Sequence, residues 1–70
     1  MNNLYKTIGS RLCTRRKNLQ LSQEYLAELT GLHRNYIGNI ERGEKCASLA
    51  NIYKIVIQLN MTLEELFKGF

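Results

Sequence analysis

Seventy residues allow one small domain, positions 1–70, of a size that buries only about 60% of its unfolded surface, while a hydrophobic share of 44% excludes a disordered chain. Ten Lys and Arg against six Glu and no Asp leave a net charge of +4. Five of the cations (Lys6, Arg11, Arg15, Arg16, Lys17) precede Ser22 with no acid among them; this segment fits either an anionic partner such as nucleic acid or a solvated helix face, and charge alone leaves both open.

The elements in chain order are all helical, with no repeat and no linker. Leu4, Ile8, Leu12 and Leu19 fall near one face at helical spacing, and Asn3 is placed to cap the first helix. Ser22 is a good N-cap for a second helix, "QEYLAELT", which would bury Leu26, Ala27 and Leu29 and stop at Gly31. A third helix is expected from about Arg34 to Arg42, burying Ile37 and Ile40 and ending at Gly43. Ser48 caps a fourth, whose inner face reads Leu49, Ile52, Tyr53, Val56 and Leu59 with a stop at Asn60. Thr62 and Glu65 form a capping box for a short fifth helix carrying Leu63, Leu66 and Phe67. The expected fold is all-α, a compact bundle of five short helices.

Two cysteines, Cys13 and Cys46, are too few for a disulfide scaffold and match no metal motif, so they read as reduced thiols in a cytoplasmic protein. No apolar run approaches a membrane span and no apolar signal core opens the chain, so neither a membrane nor secretion is expected. One histidine and no aspartate give no catalytic constellation, no metal site and no cofactor; the chain does not read as an enzyme.

The informative stretch is "GLHRNYIGNIERG", Gly31 to Gly43. The link between the second and third helices is too tight for an antiparallel pair and fits two helices crossing steeply. Ala27 lets them approach, Gly31 takes the left-handed turn position, and Leu26, Leu32, Ile37 and Ile40 plug the angle. "LSQEYLAELTGLHRNYIGNIERG" resembles the helix-turn-helix of the phage-repressor (Cro-like, Xre-type) family, and "SRLCTRRKNLQLSQ" resembles the helix before it. The turn, followed by Ser48-Leu49, is most similar to the controller proteins of restriction-modification systems.

That resemblance implies a lambda-repressor-like DNA-binding domain acting as a transcription regulator on double-stranded DNA. It places Arg34, Asn35 and Asn39 at base edges in the major groove, where arginine suits guanine and asparagine suits adenine. Gln23 is implied as a phosphate contact at a helix start, with His33, Tyr36, Arg42, Lys45 and Arg15 as further backbone contacts. Arg16 and Glu41 match a structural ion pair of the family. The chain departs from the family pattern at His33, where Ser or Thr is usual, at Arg15, often leucine, and at Cys46, in a loop that is often basic.

Ile55, Ile57, Met61, Phe67 and Phe70 are read as a two-fold dimer interface, because so small a chain has trouble burying them all. A homodimer would set two recognition helices about 34 Å apart on a palindrome. Tyr53 reads as core, and Tyr36 as either core or phosphate-binding. Gly38, a weak helix former, is expected to face the groove and let the helix lie close to DNA. Activation would need a surface for RNA polymerase, for which Glu44 is the nearby acid left unassigned. The alternatives are a phage-type repressor or an antitoxin-like protein-interaction module of the same fold.

Overall fold

In the computed structural model, which describes residues 2–70 and side chains from Leu4 onward, the chain forms α1 (Asn2–Asn18), α2 (Gln23–Thr30), α3 (Arg34–Glu41), α4 (Leu49–Gln58) and α5 (Leu63–Phe67), with no strand among the described residues. The Asn3 cap falls outside the described side chains. The helix starts follow local chemistry. Ser22 Oγ accepts from the Tyr25 amide at 2.9 Å, and Ser48 Oγ accepts from the Asn51 amide at 3.1 Å. At α5 the capping box closes in both directions: Thr62 Oγ1 accepts from the Glu65 amide at 3.0 Å and Glu65 Oε1 from the Thr62 amide at 2.8 Å.

The first four helices end alike. A residue in the left-handed region follows each, at Gln20, Gly31, Gly43 and Asn60. In each case the next amide reaches back to the carbonyl five residues earlier, as Leu21 does to Arg16 at 3.1 Å and Leu32 to Ala27 at 3.1 Å. At Gly31, with φ of 73°, this reversal is the turn between α2 and α3.

α3 packs on α1 and α2, α4 on α2, and α5 on α1 and α4. They enclose Ile8 and Leu12 of α1, Leu26 and Ala27 of α2, Ile37 and Ile40 of α3, Ile52, Ile55, Val56 and Leu59 of α4, and Leu66 of α5. The crossing of α1 and α3 is set by Gly9. A Cβ there would collide with the Ile40 carbonyl oxygen and lie 2.7 Å from that of Glu41. Backbone meets backbone at this point, which only glycine permits.

The apolar pattern misassigns several positions. Leu19 lies beyond the end of α1 and is 38% exposed, as is Leu29. On α4 the core face is Ile52, Ile55, Val56 and Leu59. Leu49 and Tyr53, expected inside, are exposed, and Ile55, expected at a dimer interface, is buried. The cause is that the apolar arc of α4 is wider than the core it meets. Leu49, Tyr53 and Ile57, spaced by four, form a second stripe beside the first and face solvent.

Gly9→Ala is expected to lower stability by about 1–3 kcal/mol or more by overpacking. Urea denaturation read by circular dichroism measures it, and an unchanged midpoint would show that α1 and α3 can separate freely.

Candidate nucleic-acid interface

A buried polar network ties the helix-turn-helix to α1. Arg16 Nε donates to Glu41 Oε2 at 2.7 Å and Nη2 donates to Oε1 at 3.0 Å, a two-point pairing between α1 and α3. Arg16 Nη1 also donates to the Leu21 carbonyl at 2.7 Å, and Cys13 Sγ lies 3.7 Å from Nη2. Gln23, the first residue of α2, donates through Nε2 to Glu41 Oε1 at 2.9 Å. Burial by itself would raise the Glu41 carboxyl; the hydrogen bonds from Arg16 and then Gln23 outweigh it and hold the group below its ordinary value. No buried side-chain polar atom among the described residues lacks a partner.

Upon this base α3 divides into two faces. Ile37, Gly38, Ile40 and Glu41 are buried, while Arg34 and Asn35 are exposed in the first turn. His33 caps that turn: its Nδ1 accepts from the Asn35 amide at 3.1 Å. A histidine can cap this way only with Nδ1 unprotonated, which leaves Nε2 as the ring's donor. Asn39, half-buried, accepts at Oδ1 from Arg42 Nη2, and Arg42 Nε lies 3.2 Å from Glu44. Arg34 pairs with Glu24 of α2 at 2.7 Å. Tyr36 is half-buried against the core and its hydroxyl accepts from Asn51 Nδ2 of α4 at 3.0 Å. Lys45 is exposed on the loop after α3.

Two expectations change at this point. Gly38 is buried beneath side chains of its own protein: a Cβ there would lie 3.1 Å from Arg42 Nη1 and 3.5 Å from Gln23 Oε1. Its lack of a side chain leaves room for Gln23 and Arg42 to lie across α3. Arg15 stands apart from the helix-turn-helix. It donates from Nε to the Leu59 carbonyl at 2.8 Å and from Nη2 to that of Asn60 at 2.7 Å, closing the end of α4. Arg11 does the same for the end of the chain, donating to the Leu66 and Lys68 carbonyls at 2.8 and 2.7 Å and lying over the Phe70 ring at 5.1 Å. Helix C-termini carry unpaired carbonyls and partial negative charge, which is what these cations meet. The sequence did not single out Glu24 or Asn51, each a partner of a candidate contact from another helix, and it offered Arg11 only as one of five cations, not as a donor to backbone acceptors.

The pattern of the helix-turn-helix family matches residues 14–66. The crystal structure of the restriction-modification controller protein C.AhdI from Aeromonas hydrophila superposes with a TM-score of 0.87 at 43% identity, over 96% of this chain and 100% of that one. This chain belongs to the helix-turn-helix family, among the restriction-modification controller proteins. The control protein C.MunI of a Mycoplasma species is 41% identical over 96% of this chain and 92% of its own length. The control protein C.SmaI of Serratia marcescens is 46% identical over 66% of this chain, which spans 55% of that relative. The Corynebacterium glutamicum regulator ClgR shares the fold, with a TM-score of 0.87 at 22% identity.

The Arg16–Glu41 pair yields a stability prediction. Arg16→Met or Glu41→Leu alone should cost about 3–5 kcal/mol, because the remaining charge stays buried without its partner. The double variant should recover much of that loss. Because the folded Glu41 value lies below the ordinary 4.5, its stabilisation is complete above that pH and drains away as pH falls through the folded value. Thermal melts from pH 7 to pH 3 should show the double variant losing less on acidification than the parent; equal losses would separate Glu41 from the acid transition.

Proposed function

We propose that this protein binds a palindromic duplex operator as a homodimer and regulates transcription from it, with Arg34, Asn35 and Asn39 reading base edges. The observation that carries the reading is the first turn of α3. It holds an arginine and an asparagine open to solvent on a helix whose opposite face is locked into the core. Arginine can donate to guanine O6 and N7, and asparagine can pair with adenine N6 and N7. Around this turn lie donors suited to phosphate: the second amide hydrogen of Gln23, His33 Nε2, the Tyr36 hydroxyl hydrogen, Arg42 and Lys45. Gln23 stands at the start of α2, where free backbone amides add to the attraction. Arg15, committed to the end of α4, has no part in this interface.

Dimerisation is supported by the apolar surface that folding leaves open. Leu49, Tyr53 and Ile57 are 67%, 54% and 53% exposed along one side of α4. Leu49 and Phe67 line one apolar cavity of about 200 Å³, so the surface runs on to α5. Phe67 is 38% exposed, and Met61 is half-buried beside the core. Patches of this kind mark protein interfaces. An antitoxin-like module would share the patch, but would have no use for the α3 turn.

In vitro selection of bound duplexes should return a palindrome with half-sites about one helical turn apart, and affinity should fall steeply with salt. Arg34→Ala should cost about 1–3 kcal/mol on the selected site and relax one base position, whereas Gln23→Ala should weaken all sequences alike. Equal losses for Arg34→Ala on selected and random DNA would remove it as a reader. Ile57→Glu should shift sedimentation from dimer to monomer without loss of helix content, since the residue is exposed; an unchanged dimer would place the interface elsewhere.

A further inference from the structure

Arg34 is the first residue of α3, where a cation faces the positive end of the helix and is disfavoured. No acid in the first turn of α3 offsets it. The compensating charge comes from another helix: Glu24, second in α2, accepts from Arg34 Nη1 through Oε2 at 2.7 Å. The two side chains are 71% and 63% open to solvent, so the pair contributes little to folding. It does fix a direction. With Nη1 bound to the carboxylate, Nε and Nη2 of Arg34 form no bond among the described residues, and these two donors are the edge that fits guanine O6 and N7.

We propose that Glu24 sets the operator selectivity of this protein, by holding the Arg34 guanidinium for one guanine and by opposing its use on phosphate. The inference rests on Arg34 as a base reader. On a matching site Arg34 donates its open edge to guanine and keeps its bond to Glu24, so the carboxylate remains neutralised. On a wrong base pair the open edge finds no paired acceptors. The alternative for Arg34 is then a backbone phosphate, and reaching it means leaving Glu24 as an unpaired negative charge. Glu24 follows Gln23, the proposed phosphate contact, so that charge would lie against the DNA backbone, where it is repelled. Glu24 therefore weakens random binding more than operator binding.

Glu24→Gln, which keeps the size and removes the charge, tests this. Dissociation constants are measured by fluorescence anisotropy on the selected operator and on a random duplex, across salt, for the parent and the variant. Glu28→Gln serves as the comparison, because Glu28 is an exposed acid on the same helix and forms no ion pair among the described residues. The expected result is tighter random binding by Glu24→Gln, with operator affinity unchanged or weaker, so that the operator-to-random ratio falls on the order of tenfold, within the discrimination of one bidentate base contact. Glu28→Gln should leave the ratio unchanged. A ratio for Glu24→Gln equal to that for Glu28→Gln overturns the proposal while leaving Arg34 a reader. A parent protein with no operator preference overturns both readings. Urea unfolding should show Glu24→Gln only slightly less stable than Glu28→Gln, by the loss of an acid from the first turn of α2, with both variants folded under the binding conditions, which separates selectivity from folding.

Discussion

The two-point bond between Arg16 and Glu41 is the constraint on which the outward face of α3 depends. It joins the last turn of α1 to the last turn of α3, and Gln23 attaches the first turn of α2 to the same carboxylate. Three helices thereby meet at one buried acid. The core alone would hold these helices together through Leu12, Leu26, Ile37 and Ile40, but apolar contact is weakly directional. The charged network fixes how far α3 is rotated, and so which of its residues stand outward. The Gly9 crossing acts in the same sense, because backbone contact between α1 and α3 leaves no slack at that point.

The basic first helix has a use that its sequence does not disclose. Arg16 is buried on Glu41, while Arg11 and Arg15, half-exposed, reach backbone carbonyls at the ends of α5 and α4. In a chain this small, helix ends are a large share of the structure, and each leaves carbonyls without intrahelical partners. Long arginine side chains from a neighbouring helix satisfy them. The three arginines of α1 are thus engaged within the protein, Lys6 and Lys17 are exposed, and the cations offered outward beside α3 are Arg34, Arg42 and Lys45.

The helix-turn-helix was legible in the sequence because its signals are local. Ser22, Gly31, Ser48 and the Thr62–Glu65 box each act within a turn of where they stand, and Ala27 and Ile37 follow from helical spacing. The positions that spacing misassigns depend on contacts between helices. Spacing shows that α4 is apolar over a wide arc, yet only the position of α2 and α5 decides that Ile55 lies inside and Tyr53 outside. Likewise no spacing rule leads from Arg15 to the Leu59 carbonyl, or from Arg34 to Glu24, since the acceptors lie on other elements. Gly38 sits next to Asn39, which suggests the groove-facing side; the structure covers it with Gln23 and Arg42.

The two faces of α3 also bear on how such a protein could be retargeted. Ile37, Ile40 and Glu41 belong to the interior, whereas Arg34 and Asn35 hold nothing in it. On the proposed reading, new side chains at those two positions would change the bases preferred while leaving the interior of α3 untouched. Asn39 is less portable, because it is joined to Arg42, which lies across Gly38 beside Gln23. A library that varies positions 24, 34 and 35 together, and leaves 38, 39 and 42 alone, would sample specificity at little risk to the fold.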